Sequence, residues 1–553
     1  MAPVFSCSRA LPKRRKPHAE RHADLTPARA VPWYAWMTVP RALTLGLLLL
    51  TMAFALLRLV HLEADPPQGL TTSHVLYTDE GWYARNAVAW ALTDHWHMEG
   101  DFNPAVNIPV WTILQAAMFG LFGTSLHTAR LLAVAFFFAL LVIFYQFAIR
   151  YVPTWAALAG CLILATSYRL FAFSRLALLE VPMMTFVMLS LLLAAKAKRG
   201  QWRLRVVLSA GAFACAYLTK TTALIGLPAV MYLLWCASDG PWDRLKGLVL
   251  WITVLLLFLC THYAAVALPY HRDYVYFNEL NIAERWFDGW QPLAVWQHVS
   301  HVAELGLTRF DPLLTFAVVV GALPLLASRR FRRCVAVRVA FLWGGALIAL
   351  MLTTTHHPPR YFLPMAVPLA LLASAALAHL RPPEGGWLLR PIFAILLVSV
   401  LAIQGHTVLR YLAQPEYSFV EMCDQVRQQL VAEDRPVLLM GHMADSIGLE
   451  LGMVCVNDQM GTWPLRDRLD VYQPTHVIGY GQMDASLAGA LALRGRQGRL
   501  LARYEVYHSY ADTRPLRLYV LEDRQADAAE ERTATRRSEL VAWQLSQRLA
   551  DWQ

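Results

Sequence analysis

Charge is scarce in this chain: Asp, Glu, Lys and Arg make up 16% of its 553 residues, against about 25% in a soluble globular protein. Nothing spaces cysteine and histidine as a zinc site does, since CxxC and HExxH are both absent. GxxxxGK[ST] and GxSxG are missing as well, which removes P-loop and serine-hydrolase chemistry. The residue pattern implies no cofactor and gives a divalent metal no support. No internal repeat or low-complexity tract appears, so a solenoid is excluded. An apolar leader is lacking too: residues 1–40 are polar, basic and Pro-containing, with KRRK at Lys13 to Lys16, and read as a cytosolic arm rather than a cleavable signal.

What is abundant is apolar surface, at 57% hydrophobic residues. Several runs reach the roughly 20 residues needed to cross a bilayer, among them LTLGLLLLTMAFALLRLV from Leu43 and LLAVAFFFALLVIFYQFAI from Leu131. The chain therefore reads as a polytopic α-helical membrane protein with eleven spans, near 42–60, 131–149, 153–172, 176–195, 206–219, 221–236, 246–268, 311–327, 336–354, 361–380 and 388–407. PVWTILQAAMFGLF (Pro109 to Phe122) is too short to cross and reads as an interfacial or re-entrant helix. The net charge of +10 would suggest nucleic acid in a soluble protein. Here it gathers in short clusters, KAKRGQWRLR (Lys196 to Arg205), SRRFRR (Ser328 to Arg333) and the N-terminal arm, which marks cytosolic loops and excludes a nucleic-acid partner.

With that orientation, five features share the outer face: Asp79 with Glu80, Glu180, Lys220, the loop 269–310, and HHPPRYF from His356. Ionisable groups at a membrane edge are candidates for function. Two outer loops (61–130 and 269–310) thus belong to a membrane domain over 41–410. After Pro415 the composition turns soluble. PVLLMG (Pro436), MVCVND (Met453), THVIGYG (Thr475), YEVYHSY (Tyr504) and LRLYVLE (Leu516) alternate with helix-like segments, which predicts a small α/β domain over 415–523, outside the cytoplasm, followed by a charged tail over 524–553. Of the eight cysteines, only Cys423 and Cys455 fall in that domain, where they could pair in an oxidising compartment.

The ordered motifs resemble the GT-C glycosyltransferases of the protein O-mannosyltransferase and aminoarabinose transferase type. The matching segments are DEGWYARNAVAWAL from Asp79, NIPVW from Asn107, GLFGTSLHTAR ending at Arg130, SRLALLEVPM from Ser174, AYLTKTTALIGLP from Ala216 and PPRYFLPMAVPLALL from Pro358. They run in order through about residue 380. At Asn107-Ile108-Pro109 the chain lacks the acidic residue and Lys that aminoarabinose transferases carry before the Pro. The resemblance therefore implies a reaction class, transfer from a polyprenyl-phosphate sugar, and not a particular sugar. It also implies a multi-pass bacterial inner-membrane protein with its site outside the cytoplasm, acting on a protein, lipid or glycan acceptor.

The residues fit that chemistry independently. A polyprenyl phosphate leaves as an anion, so the enzyme must supply a base for the acceptor hydroxyl and positive charge for the phosphate. Asp79 is the candidate base. Glu80 and Glu180 are candidates for holding sugar or acceptor hydroxyls. Arg360 and Lys220 are the leading phosphate ligands, with His356, His357 and Arg285 as further candidates. The competing reading is a transporter of lipid-linked glycans, which would need ionisable groups along a whole translocation path.

Overall fold

The computed structural model describes residues 41–67, 79–197, 201–237, 240–282, 291–355, 357–379, 382–431, 436–506 and 515–523. His356, Arg285, the arm 1–40 and the tail 524–553 lie outside them. Each of the eleven apolar runs is helical. In hydrocarbon, backbone groups find partners only within the chain, and the α-helix satisfies them within one segment.

The first helix, α1 (Arg41–Leu56), runs into a 3-10 turn to Leu59. Two shorter helices follow, α2 (Glu80–Thr93) and α3 (Pro109–Phe122), the second started by Pro at its first position. Then comes α4 (Leu126–Ala148), capped by Ser125, whose hydroxyl accepts from Thr128 N at 3.1 Å. A pair bent by 66°, α5 (Thr154–Thr166) and α6 (Tyr168–Ser174), leads to α7 (Glu180–Ala195), α8 (Trp202–Thr219), α9 (Leu227–Ala237) and α10 (Pro241–His262). Beyond these lie α11 (His271–Ile282), α12 (Pro292–Glu304), α13 (Pro312–Ala322), the short basic α14 (Arg329–Arg333), α15 (Val335–Thr353), α16 (Ala366–His379) and α17 (Pro382–Ala413). Among the described residues, six helices are long and apolar enough to cross a membrane, or seven if the bent pair is one span.

Polar side chains join these helices from within. Arg58 at the end of α1 is fully buried, with Nε on Ser174 Oγ at 2.7 Å, Nη1 on Ala165 O at 3.0 Å, and its guanidinium 3.6 Å from the Phe137 ring centre. Ser190 of α7 and Ser209 of α8 share a 3.0 Å hydrogen bond, and Trp251 of α10 donates Nε1–H to Ser209 Oγ.

The C-terminal part builds a mixed five-stranded sheet in the order β2-β1-β3-β5-β4. Its strands are β1 (Leu439–Met440), β2 (Cys455–Val456), β3 (His476–Tyr480), β4 (Arg496–Tyr504) and β5 (Leu516–Asp523); its helices are α18 (Ser418–Val431), α19 (Ala444–Leu451), α20 (Leu465–Tyr472) and α21 (Ala485–Ala492). β1 pairs in parallel with β2 and β3, and β5 pairs antiparallel with β3 and β4. YEVYHSY (504–510) lies mostly outside the described residues, and a strand that the sequence did not mark runs just before it, at Arg496–Tyr504. β4 is a sheet edge with Gln497, Gly498 and Arg499 exposed, so its polar face hides the strand signal. Cys423 and Cys455 are both buried and free.

One face of the sheet closes a core of its own, with Met440, Val456, Leu469 and Leu521. The other face does not. Phe419, Met422, Ile447 and Leu518 pack into one cluster with Ala84, Ala87 and Val88 of α2 and Trp111 and Phe119 of α3, so the first loop and the sheet share a single hydrophobic core.

Candidate active site

Asp79 directly precedes α2 and is buried. Glu180 opens α7, Lys220 stands at the break after α8, where the backbone turns extended, and Arg360 sits in a 3-10 turn, Pro359–Met365, that follows Pro358. Proline at 358 and 359 withholds two N–H groups, and Pro359 keeps Pro358 extended, so the turn begins only at 359. These four residues come together from four separate segments. Arg360 Nη2 lies 2.5 Å from Asp79 Oδ2, and its Nε lies 3.5 Å from Glu180 Oε1. Lys220 Nζ donates to the same Glu180 oxygen at 2.5 Å. The ammonium also sits 4.4 Å from the centre of the Tyr361 ring.

Two carboxylates and two cations thus alternate along one buried chain. Burial makes each charge expensive alone, and mutual pairing offsets that cost. Glu180 Oε2 is buried and, among the described residues, has no hydrogen-bond partner. On its other side a small cleft is lined by Glu180, Lys220, Thr222 and Tyr361 together with apolar Met183, Leu347 and Leu350.

Tyr83 joins the group one helical turn from Asp79, its hydroxyl donating to Asp79 Oδ2 at 3.4 Å. Burial, and then the Asp79 charge, push that hydroxyl well above the usual tyrosine range, so it remains a donor at neutral pH. The sequence reading gave neither Tyr83 nor Tyr361 a role. The i, i+4 spacing of Asp79 and Tyr83 on a helix start was the available signal.

Glu80 departs from its expected part. Rather than reaching toward a sugar or acceptor, both its oxygens are taken up by Arg130 of α4, with Nε to Oε1 at 2.9 Å and Nη2 to Oε2 at 2.8 Å, and Oε1 also accepts from Ala177 N at 2.8 Å. Arg130 Nη1 donates to Leu62 O and Ala64 O, both at 2.9 Å. Neighbouring residues at a helix start point in different directions, and here one carboxylate anchors while the other faces the cations. Arg130→Ala is expected to lower unfolding free energy by about 3–5 kcal/mol, because it strands a buried carboxylate. Denaturant unfolding of the purified protein measures it, and a loss of less than about 1 kcal/mol would mean a solvated pair.

His357 is also placed elsewhere than expected. Its Nε2 bonds Met351 O at 2.8 Å, and its ring lies 5.5 and 6.0 Å from His298 and His301 of α12. Among the described residues, no group of three or more His, Cys, Asp and Glu side chains is arranged to hold a metal ion.

An apolar helical bundle with an α/β unit packed on its first loop is a GT-C-type fold, the fold of the solved membrane glycosyltransferases that the chain resembles. Residues 104–264 match the family described as dolichyl-phosphate-mannose-protein mannosyltransferase. No curated protein matches the chain in sequence. Among solved structures it is similar to ArnT from Cupriavidus metallidurans bound to undecaprenyl phosphate, with a TM-score of 0.55 and 18% identity over 86% of this chain and 98% of that one. It is also similar to the oligosaccharyltransferase AglB from Archaeoglobus fulgidus, in complex with an inhibitory peptide and a dolichol-phosphate, with a TM-score of 0.51 and 11% identity over 79% of this chain and 69% of that one.

Proposed function

We propose that this protein is a glycosyltransferase that moves a sugar from a polyprenyl-phosphate donor to an acceptor hydroxyl on the extracytoplasmic face, with Asp79 as base and inversion at the sugar carbon. The observation that carries this reading is the 2.5 Å contact between a buried carboxylate, Asp79, and Arg360, with Lys220 tied in through Glu180. A base and two cations joined in one chain of ion pairs are what the reaction requires. The acceptor oxygen forms a bond to the anomeric carbon as the bond from that carbon to the phosphate oxygen breaks. The hydroxyl proton passes to Asp79, and the lipid phosphate leaves with an added negative charge that Arg360 and Lys220 neutralise. Glu180 holds both cations in place, and its free oxygen accepts from a sugar hydroxyl. Two relatives, ArnT and AglB, were solved with undecaprenyl phosphate and a dolichol-phosphate, which supports the donor class. His356 and Arg285 extend this proposal as headgroup contacts.

The test uses purified protein in lipid nanodiscs with synthetic polyprenyl-phosphate sugars, following release of polyprenyl phosphate and the glycosylated product together. Movement of the intact donor between leaflets without either product would identify a transporter instead.

The proposed arrangement places eleven spans over 41–410, the N-terminus in the cytoplasm, and residues 415–523 outside it. A cysteine introduced at Gln297 is expected to react with an impermeant thiol reagent added to whole cells, and one at Gln201 only after permeabilisation. The opposite pattern would put the site on the cytoplasmic side.

A further inference from the structure

Helix α2 carries Asp79 at its start, yet much of what holds α2 comes from the far end of the chain. At Gly81 a Cβ would lie 2.3 Å from Ser446 N, 2.5 Å from Ser446 Cα and 2.6 Å from the Asp445 carbonyl carbon. The first turns of α2 and α19 therefore meet backbone to backbone, an approach only glycine permits. One turn further along α2, the Arg85 guanidinium is buried. Its Nη1 faces Asp445 Oδ2 at 3.4 Å, and its Nη2 pairs with Asp101 and lies 3.4 Å from Cys455 O. Asp101 is held in turn by Arg468 Nη1 at 3.1 Å and by Asn457 N at 3.2 Å. The other end of α19 reaches α4, where Glu450 Oε2 accepts from Leu126 N at 3.0 Å, at the head of the helix that carries Arg130.

We propose that the C-terminal α/β unit is a positioning element for catalysis, in which α19, through Gly81, Arg85 and Asp445, fixes the start of α2 and with it the reach of Asp79. The inference rests on the reading of Asp79 as the base. Arg130 holds α2 through Glu80 and α19 holds it through Gly81 and Arg85, so the start of α2 is gripped by two contacts. Displacing α2 by the width of a methyl group moves the carboxylate by an amount that costs a reaction about 10²-fold when a base is involved.

The brace also has a pH dependence of definite sign. Burial pushes the Asp445 carboxyl up to about 7, overcoming the attraction of Arg85. The groups that face it are Arg85 from α2, Asp101 and His97 from the loop after α2, Cys455 from β2, and Asn457, Asp458 and Arg468 from the segment that follows. Asp458 is itself pushed up to about 6, chiefly by burial. A carboxyl whose docked value lies above its free value favours docking while protonated. That contribution is fully present below the free value of 3.8 and is lost as pH rises through about 7.

The test takes the full-length protein in nanodiscs and reads amide hydrogen exchange in α2, corrected for intrinsic rates, alongside transfer kinetics. In wild type, protection of α2 is expected to fall as pH rises from 3.8 to about 7 and to level off above that, and in Asp445→Asn, which stays neutral, the fall is expected to be smaller, that of Asp458 alone. Gly81→Ala is expected to lose protection in α2 and α19 only, and to lower kcat by about 10- to 10²-fold with little change in donor KM, since Arg360 and Lys220 lie on other segments. Flat protection in wild type, or the same fall in Asp445→Asn, would overturn the brace, as would normal turnover in folded Gly81→Ala. Hydrogen exchange needs no transfer assay, so failure of the proposed reaction and failure of the brace are read separately. If Gly81→Ala does not fold, Asp445→Asn alone decides.

Discussion

Asp79→Asn is expected to reduce sugar transfer by at least about 10²-fold, the lower end of what a positioned base contributes, while leaving donor binding intact or tighter. Asparagine keeps the shape of the side chain and removes the proton acceptor. It also removes the charge 2.5 Å from Arg360, so the guanidinium is left with Glu180 and is freer to meet a phosphate. The two readouts therefore separate in opposite directions, which simple loss of folding cannot produce. The measurement is single-turnover transfer by purified variants with donor affinity determined in parallel. Near-normal turnover would remove Asp79 as the base. Loss of binding together with transfer would make it a ligand-holding residue.

Arg360→Ala carries the second large effect, a loss of about 10²–10³ in kcat/KM, comparable to removing one donor from a preorganised oxyanion site. The substitution takes away the group that touches both Asp79 and Glu180, so two buried carboxylates face each other without the cation between them. Arg360→Lys is expected to restore activity only in part. An ammonium has its donors on a single nitrogen and lacks the spread of the guanidinium, which reaches Asp79 with Nη2 and Glu180 with Nε. Donor titration of both variants at constant acceptor decides the matter, with correct insertion checked by the thiol-labelling pattern. Unchanged kinetics in inserted Arg360→Ala would reassign the residue to anchoring.

Much of this site was legible in the chain because charge is rare in it. In a sequence so apolar, Asp79, Glu180, Lys220 and Arg360 stand out at the ends of hydrophobic runs, where an unpaired charge is costly and therefore purposeful. They do meet in the fold. The pairing among them was not legible, since periodicity says which residues share a helix face and nothing about which helix ends converge. Glu80 shows the limit most plainly. It is adjacent to Asp79 and of the same chemistry, and only the position of Arg130, 50 residues away, makes it an anchor. His357 likewise lies three residues before Arg360 and turns to Met351 O instead.

From the sequence alone came the apolar helices and the segments bearing the charged groups, because bilayer length and backbone hydrogen bonding leave few other solutions for long apolar runs. The tertiary structure decided which carboxylate faces the cations and that the sheet packs on α2 instead of standing apart. Gly81 against Ser446 and Arg85 against Asp445 join residues about 360 positions apart, and contacts at such separation follow from the packing of shared core surfaces, which no local pattern encodes.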